Sequence, residues 1–389
     1  MAASLFEKHR VIDIDTHVTE PPDVFTTRVA SKWKDRVPHV TKAENGDDIW
    51  VIGDQMIGHP GAYSMAGHTD APPNFVSGYS QIPASMMEPR ARLTHMDEEK
   101  IYANVLYPNV GGFGAGGFLK LGEPELMLEC VSAYNDFLFE WASEDLERLV
   151  PVMSMPFWDV AAAVGEIERC AAKGFRALVM CNQPQDFGMP FLRERHWDPV
   201  WAAAQDAGLS ISFHIGGGDL SDLLEDVAGV GFSANFARAS ALVFLDNGKC
   251  LADVIMGGIC HRFPRLKMVS VESGVGWIPF ILEALDWQWK NSGVGKEHPE
   301  WDLLPSEYFR RQMYGSFWFE EGGLANAIEL YPDNILYETD YPHPTCMAPG
   351  PASAGTHPGL YAEKALAGVS AENIGKVLHG SAAALYGIA

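Results

Sequence analysis

Four apolar stretches of the sequence end at side chains of the kinds that bind metal ions. The first stretch, residues 11–14, leads into Asp15 and His17. Residues 209–213, 266–271 and 335–339 form the other three stretches, and the side chains that follow them are His214, Glu272 and Asp340. If each stretch is a strand, four strand ends present carboxylates and imidazoles, and the simplest arrangement is one shared site.

The spacing within the first stretch predicts which side chains act together. Side chains alternate between the two faces of a strand, so we expect Asp13, Asp15 and His17 to project together. Ile12 and Ile14 then belong to the opposite face. A carboxylate two residues before a histidine also occurs in ordinary polar packing, and the pair by itself leaves that alternative open.

Asp15, His17, His214 and Asp340 together predict a site for one divalent ion. Nitrogen and carboxylate ligands suit zinc, manganese and iron(II), and the two carboxylates leave zinc and manganese undecided. Such an ion polarises a substrate oxygen or lowers the pKa of a bound water to about 7. Asp340, if the ion holds it loosely, could shuttle a proton.

The elements that position these residues form an α/β pattern. Strand-like runs begin at residues 11, 101, 149, 175, 209, 266, 313 and 335, and helical patterns separate them. Eight strands with intervening helices predict a (β/α)8 TIM barrel, a fold whose catalytic groups lie at the carboxyl ends of the strands. We therefore expect one domain over residues 1–389, with insertions at about 33–84 after the first strand and about 290–306 after the sixth. A hairpin turning at Gly53 and Asp54 is expected in the first insertion.

Composition excludes several classes of partner. The chain has 28 Lys and Arg against 51 Asp and Glu, a formal charge of −23, which argues against nucleic acid and anionic membranes. Its six cysteines form no CxxC pair, so we expect reduced thiols inside the cell. The amino terminus lacks the pattern of a signal peptide and no apolar run is long enough to span a membrane, which predicts a cytoplasmic protein.

Two further features of the sequence bear on the type of enzyme. The glycine-rich residues 111–117 lack both the Gly-Lys-Ser/Thr ending and the GxGxxG spacing of phosphate loops, so a flexible loop at the active site is the favoured interpretation. The sequence has no GxSxG motif, which argues against a serine hydrolase. Among the remaining histidines, His59 and His68 are the best candidates for contact with substrate, because their insertion could fold over the barrel mouth.

Several motifs resemble one known family. They are the Asp15-Thr16-His17 triplet and residues 213–217, 262–277, 338–343 and 377–383. Together they resemble the amidohydrolase superfamily, and more narrowly its amidohydrolase-2 branch, which includes aminocarboxymuconate-semialdehyde and γ-resorcylate decarboxylases. The resemblance implies a (β/α)8 barrel, one metal ion, and either hydrolysis or non-oxidative decarboxylation.

Two positions depart from the pattern of that branch. Many relatives have His-x-His or Glu-x-His on the first strand, where this chain has Asp15 and His17. The end of the sixth strand usually holds a histidine that acts as acid or base, and here it holds Glu272. Carried over by position, His17, His214 and Asp340 are metal ligands with Asp15, and Glu272 is either a base or a further ligand.

Other side chains are candidates for contact with substrate. Relatives use an arginine near Arg90 and Arg92 to clamp a substrate carboxylate, although Arg92 could instead pair with Asp97 or Glu98. His343 could act as a proton donor or substrate contact, or form a hydrogen bond within its loop. Phe113, Phe187 and Trp318 could line an aromatic pocket or pack in the core.

These observations predict a metal-dependent hydrolase that uses metal-activated water on a small carboxylated or aromatic-derived substrate. Glu272 or Asp340 would take the proton, and we expect zinc, with manganese as the alternative. The second prediction is a metal-dependent decarboxylase of an aromatic or muconate-type acid. A third is a barrel without catalytic activity. We also expect a homodimer, with residues 287–301 as a candidate contact.

Overall fold

A computed structural model describes residues 4–33, 36–72, 74–221, 227–348, 350 and 355–389. Its strands are β1 (Val11–His17), β2 (His39–Lys42), β3 (Asp48–Ile52), β4 (Gln55–Gly58), β5 (Ile101–Tyr107), β6 (Leu149–Ser154), β7 (Ala177–Val179), β8 (Ser210–His214), β9 (Met268–Val271), β10 (Met313–Phe317) and β11 (Ile335–Tyr337). Eight of them form one parallel sheet in the order β1-β5-β6-β7-β8-β9-β10-β11.

Helices lie between these strands, as the alternating pattern predicts. The α-helices are Leu5–Lys8, Ala84–Met87, Pro89–Glu99, Pro124–Ala142, Val160–Lys173, Asp198–Ala207, Phe232–Met256, Ile259–Arg262, Ile278–Asn291, Val294–Glu297, Pro305–Gln312, Leu324–Leu330, Pro358–Ala365, Ala371–Gly375 and Ser381–Tyr386. A π-helical turn, Lys376–Gly380, separates helices Ala371–Gly375 and Ser381–Tyr386. The predicted (β/α)8 barrel is confirmed, and the two insertions stay predictions.

Local sequence explains where the helices begin and end. Val160–Lys173 starts after Asp159, whose carboxylate accepts a hydrogen bond from the backbone N–H of Ala162 at 3.0 Å. It ends at Gly174, which adopts a left-handed conformation with φ of 110° that a residue with a Cβ rarely adopts. Among the described residues, no helix combines the length and apolar character needed to cross a bilayer.

Two apolar layers hold the barrel together. The inner layer fills the barrel with branched side chains, among them Ile12, Ile14, Val105 and Val152. The outer layer lies between the strands and the helices and contains most of the buried aromatic residues. Because both faces of the strands are buried, the strands read as continuous apolar runs in the sequence.

Strand β1 departs from regular alternation. Its pairing with β5 shifts in register between Asp13 and Thr16, and Ile12 and Ile14 point into the barrel. Asp13 lies on the outer face, so the expectation that it projects with Asp15 and His17 is wrong. The barrel closes at this point, since the Asp15 carbonyl accepts from the Asp340 N–H at 3.0 Å. The irregularity turns Asp15 inward after Ile14.

The segment between β1 and β5 packs onto the barrel. Strands β2, β3 and β4 form an antiparallel sheet, and β3 and β4 pair around Gly53 and Asp54, where the hairpin was expected. The backbone N–H groups of Met65 and Ala66 donate to the Pro342 carbonyl at 2.8 and 3.0 Å. This segment therefore reaches the loop that follows β11. Residues 34, 35 and 73 within it lie outside the described part of the chain.

Candidate metal centre

The side chains at the ends of four strands converge inside the barrel. His17 Nε2 lies 3.4 Å from Asp15 Oδ1 and 3.4 Å from Asp340 Oδ1. His214 Nε2 lies 3.5 Å from Asp15 Oδ1 and 3.4 Å from Glu272 Oε2. Potential ligand atoms of these residues fall within 4.8 Å of one another in two groups that share Asp15, and a third such group joins His17 and Asp340 to His343. The structure thus brings the four predicted ligands and Glu272 together.

The buried polar atoms of this cluster fit a metal ion. Among the described residues, both carboxylate oxygens of Asp15, both ring nitrogens of His17 and Nε2 of His214 are buried and have no hydrogen-bond partner. A buried polar group without a partner costs about 1–3 kcal/mol. A divalent cation bound by imidazole nitrogen and carboxylate oxygen would satisfy these atoms. The residues present therefore fit the implied metal.

The local contacts of His214 set its ring for this role. Its Nδ1 lies 2.8 Å from the Ile215 carbonyl oxygen, which can only accept, so Nδ1 carries the proton and donates it there. The lone pair of Nε2 is then directed at Asp15 and Glu272. Histidines that bind metal are commonly oriented in this way by a hydrogen bond from the other ring nitrogen.

The backbone is strained where two of the strands end. Glu272 follows β9 with φ of 58°, and Asp340 follows β11 with φ of 59°. This left-handed region is uncommon for residues other than glycine, and such strain costs on the order of 1–3 kcal/mol. Strained residues cluster at functional sites, where the surrounding structure holds them in place.

Burial and charge shift the acidic groups in opposite directions. Burial disfavours the Asp15 carboxylate, but the imidazoles of His214 and His17 outweigh that effect and lower its pKa to about 2. Burial raises the pKa of Glu272 to about 8. Burial and neighbouring carboxylates raise the pKa of Asp340 well above its usual range. The cluster contains more acidic groups than nearby positive charges, which favours a cation.

His343 lies against the cluster from the loop after β11. Its Nδ1 is 2.9 Å from Asp340 Oδ1, and its ring stacks on His17 with 3.7 Å between the centroids. Its Nε2 is 2.7 Å from Asn109 Oδ1. The Asn109 amide nitrogen donates to the Val18 carbonyl at 3.0 Å, which fixes the amide oxygen toward His343. His343 thus contacts Asp340 through Nδ1 and a residue of a different loop through Nε2, and its role as a proton donor or substrate contact stays a prediction.

Sequence reasoning missed three residues at this site. Glu338 is buried, and its Oε2 accepts from the Glu272 N–H at 3.2 Å. Tyr107 donates to or accepts from Ser212 at 2.8 Å, and its ring lies 5.3 Å from that of His214. Asn109 is the third. Glu338 had a detectable signal, since it lies two residues before Asp340 at a strand end, whereas Tyr107 and Asn109 had none.

A cavity of about 140 Å³ opens on the cluster. Glu272, Asp340 and His343 line one side of it, and its other walls include Phe236, Val243, Phe244 and Trp318. Described Lys and Arg side chains do not line it. The space is about that of an engineered cavity of about 150 Å³ that binds benzene.

The three aromatic residues expected at a pocket have different positions. Trp318 lines the cavity. Phe113, from the glycine-rich loop, stacks on His214 with 4.2 Å between the ring centroids. Phe187 packs on Phe157 at 5.5 Å. The glycine-rich loop therefore contacts the metal-binding cluster through Phe113, as the favoured interpretation of that loop implied.

The structure places the two arginines apart from the cavity. Arg90 is on the surface, with its side chain 83% exposed, and it pairs with Glu144 at 2.8 Å. Arg92 is buried, and it donates to the carbonyl oxygens of Ser85 and His17, each at 2.7 Å. Asp97, a partner considered for Arg92, pairs with Arg148 instead. Arg92 thus supports the backbone at the end of β1.

The segment that precedes helix Pro89–Glu99 also approaches this site. The Tyr63 ring lies 6.0 Å from that of His343. His59, which was expected to be a candidate for substrate contact, lies 3.4 Å from the Asp47 carboxylate and 5.7 Å from the Phe75 ring. Within this segment, Tyr63 rather than His59 has a ring near that of His343.

Comparison with known proteins gives a consistent result. A family model described as amidohydrolase matches residues 88–388. The structure is similar to that of an amidohydrolase from Mycobacterium avium subsp. paratuberculosis K-10, with 23% identity over 98% of both chains and a TM-score of 0.76. It is also similar to 5-carboxyvanillate decarboxylase from Sphingomonas paucimobilis, with 22% identity, coverage of 98% of this chain and 99% of that chain, and a TM-score of 0.64.

A third similar structure contains a metal. It is a dihydroxybenzoic acid decarboxylase from Polaromonas sp. JS666 with bound manganese and the inhibitor 2-nitroresorcinol. Identity is 16%, coverage is 98% of this chain and 97% of that chain, and the TM-score is 0.61. At these identities the similarity shows a shared fold.

Proposed function

The chain belongs to the amidohydrolase family, and from its site we propose that it is a divalent-metal-dependent enzyme that removes carbon dioxide from a small aromatic acid. From the sequence, hydrolysis is the first prediction and decarboxylation the second. The cavity beside the metal-binding cluster moves decarboxylation ahead of it, because its walls are aromatic and aliphatic. This juxtaposition of a polar, metal-binding side and an apolar side is the observation that carries the proposal.

The metal-binding side would hold the carboxylate end of the substrate. A divalent ion bound by Asp15, His17, His214 and Asp340 would supply Lewis-acid attraction for the substrate carboxylate and a neighbouring oxygen. The cavity walls also include the rings of Phe244 and Trp318, whose centroids lie 6.3 Å apart at an interplanar angle of 78°, so a planar substrate would pack on the face of one ring and the edge of the other. The two sides together would fix the plane and the direction of the ring.

Glu272 is the acid that we assign to the reaction. Its carboxyl group lines the cavity and lies 3.4 Å from His214 Nε2. As the bond between the ring carbon and the carboxyl carbon breaks, its electron pair stays on the ring carbon, and Glu272 donates a proton there. Carbon dioxide leaves, and Glu272 regains a proton from water.

The similar structures agree with this proposal. Two of them are, by name, decarboxylases of carboxylated aromatic rings, and one contains manganese. Manganese and zinc both remain candidates for this chain, because the ligand set of two imidazoles and two carboxylates suits either ion.

Hydrolysis is the second candidate, and a specific contact favours it. His343 Nδ1 lies 2.9 Å from Asp340 Oδ1 at the edge of the cavity. An imidazole and a carboxylate in contact can take a proton from an attacking water, which is what hydrolysis of an ester or amide requires.

The test measures both reactions with the same protein. Protein loaded with Mn²⁺ or Zn²⁺ is incubated with a panel of hydroxybenzoates, and carbon dioxide release is recorded. A panel of lactones and amides is assayed for hydrolysis in parallel. We expect carbon dioxide release that a chelator abolishes and added metal restores. In D₂O the product should carry one deuterium at the carbon that lost the carboxyl group.

A variant pair tests the role of Glu272. Glu272→Gln should lower kcat at least about 100-fold, the usual contribution of a general acid, with the metal content unchanged. Glu283→Gln, on the exposed face of helix Ile278–Asn291, is the matched control and should keep full activity. Hydrolysis of the second panel without carbon dioxide release from the first would reject decarboxylation in favour of the second candidate.

A further inference from the structure

A second, larger cavity lies on the outer side of β1. Its volume is about 230 Å³, against about 140 Å³ for the cavity at the metal centre. Asp13 and Thr16 of β1 line it together with Asn104 of β5 and Met96 of helix Pro89–Glu99. We call this space the outer cavity. The strand separates it from the metal centre, because Asp15 and His17 point to the other side.

Most of the surface of the outer cavity is apolar. Met86, Met96, Ile101, Tyr341 and Met347 form much of the wall. Methionine side chains adapt to irregular shapes and contact aromatic rings favourably. The volume exceeds the roughly 150 Å³ of an engineered cavity that binds benzene, so the outer cavity has room for a substituted ring.

The charged groups of the outer cavity already have partners. Asp13 accepts from the N–H of Thr339 at 2.9 Å and from its hydroxyl at 2.6 Å. Glu99 Oε2 lies 2.7 Å from Nε2 of His357. Both charged lining side chains are acidic, and no described Lys or Arg lines the space. These features disfavour an anionic occupant.

One polar side chain has unused hydrogen-bonding capacity. Asn104 is only 2% exposed, and its amide nitrogen contacts only the Ala103 carbonyl, at 3.5 Å, which is the limit of a hydrogen bond. Its amide oxygen has no partner among the described residues. An amide in a largely apolar cavity favours an occupant that carries a hydrogen-bonding group.

We propose that the outer cavity binds a neutral compound of a single aromatic ring that carries a hydroxyl group. The ring would pack among the methionines and Tyr341, and the hydroxyl would bond to Asn104. This proposal does not depend on the proposed function, because it concerns a different face of β1.

A compound bound in the outer cavity is expected to affect the metal centre. Thr16 lies between Asp15 and His17, and Thr339 precedes Asp340. Both residues line the outer cavity, so an occupant contacts the same backbone that positions three of the candidate metal ligands. Coupling between two binding sites is reciprocal. If a compound in the outer cavity changes the affinity of the protein for the metal ion, the metal ion changes the affinity for that compound by the same factor.

The experiment titrates the purified full-length protein with phenol, which is neutral, and with benzoate, which is the matched anion, by calorimetry. We expect saturable binding of phenol and at least about tenfold weaker binding of benzoate, because burying a carboxylate without a positively charged partner is costly and no described Lys or Arg lines the outer cavity. Benzoate binding that equals or exceeds phenol binding and persists in Val243→Trp, which fills the cavity at the metal centre, would overturn the proposal, as would no binding of phenol.

Substitutions locate the binding site. Ala66 lines the outer cavity near Gly67, and Ala66→Trp should fill it and abolish phenol binding. Ala71→Trp, at an exposed position of the same segment, is the matched control and should bind as the wild type does. Phenol binding that survives Ala66→Trp and is lost in Val243→Trp would belong to the cavity at the metal centre, and the proposal would be wrong.

A second variant tests the hydrogen bond and guards against a misfolded Ala66→Trp. Asn104→Leu should weaken the binding of phenol about tenfold, which is the effect of losing one hydrogen bond, and should leave the binding of toluene unchanged. Equal losses for the two compounds, or none for phenol, would show that Asn104 does not select a hydroxyl group.

Discussion

The two faces of strand β1 each bury an aspartate, but only one of the two aspartates has hydrogen-bond partners. Asp13 and Asp15 are two residues apart and both fully buried. On the outer face, Asp13 accepts hydrogen bonds from the backbone and the hydroxyl of Thr339. On the inner face, both oxygens of Asp15 lack a hydrogen-bond partner among the described residues. Burial alone therefore does not distinguish a structural carboxylate from a ligand, but the presence of partners does.

The difference extends to the neighbouring elements. Asp13 joins β1 to Thr339, the residue before Asp340, and so helps to fix where Asp340 lies. The inner face instead gathers atoms without partners and two residues with left-handed backbones, Glu272 and Asp340. Both features raise the free energy of the folded chain and are expected where a ligand compensates for them. The outer face stabilises the geometry that the inner face uses.

The largest expected effect comes from removing a candidate metal ligand on the inner side of the barrel. His214→Ala removes the Nε2 atom that lies near Asp15 and Glu272, and it should lower metal affinity at least about 100-fold, since even partners outside the coordination shell account for 10–100-fold. Metal content per protein is measured by elemental analysis after dialysis. Activity should be lost in parallel.

Two variants accompany that measurement. His298→Ala is the control, because His298 is partly exposed, pairs with Glu300 and is not a candidate ligand. This variant should bind metal as the wild type does. Asp13→Asn, on the outer face, should also keep it. If Asp13→Asn loses as much metal as His214→Ala, the two faces of β1 do not differ as the contacts indicate.

The second prediction concerns the outer face and pH. Burial raises the pKa of Asp13 to about 7 from 3.8, although hydrogen bonds from Thr339 oppose this effect. Between those values the folded protein retains a proton that the unfolded chain has released. The contribution of Asp13 to stability is therefore fully present below pH 3.8 and is lost as the pH rises to about 7.

Urea unfolding of metal-free protein measures this loss. Between pH 5 and pH 7 the free energy of unfolding of the wild type should fall by about 2 kcal/mol relative to Asp13→Asn, because the slope of about 1.4 kcal/mol per pH unit flattens as the pH nears the folded pKa of about 7. Asp54→Asn, at the exposed hairpin turn, should change with pH as the wild type does. Parallel curves for the wild type and Asp13→Asn would mean that Asp13 is ionised in the folded protein throughout this range.

Sequence alone predicted the barrel because barrel strands leave a strong signal. Each strand is a short apolar run, and helical patterns separate the runs, so the number and order of strands followed directly. The convergence of the ligand-type residues also followed, because the carboxyl ends of parallel strands meet on one face of a barrel. These inferences needed only local patterns and a rule of topology.

The orientation of Asp13 could not be predicted in the same way. Alternation holds for a regular strand, but β1 is irregular where residues 340 and 341 pair with it to close the barrel. Those residues are more than 300 positions away in the sequence, so a local pattern contains no trace of the irregularity. Asn109 was missed for a similar reason, because its contact with His343 joins two distant loops.

The two arginines were ranked alike from sequence, although a helical pattern could have separated them. Residues four apart share a helix face, and Met96, which is buried, lies four residues after Arg92. Arg90 is on the exposed side of the same helix. The core face of helix Pro89–Glu99 therefore includes Arg92, where an arginine reaches backbone carbonyls rather than a substrate.

The last prediction compares a buried arginine with an exposed one, and the smallest expected effect is that of Arg90→Ala. Arg92→Ala leaves the Ser85 and His17 carbonyls without their donor and should cost about 2–4 kcal/mol in the free energy of unfolding. Arg90→Ala removes only an exposed pair with Glu144 and should change that free energy by less than about 0.5 kcal/mol. Urea unfolding measures both changes. KM should be unchanged in Arg90→Ala, and a tenfold rise would mean that Arg90 clamps the substrate, as the family resemblance first suggested.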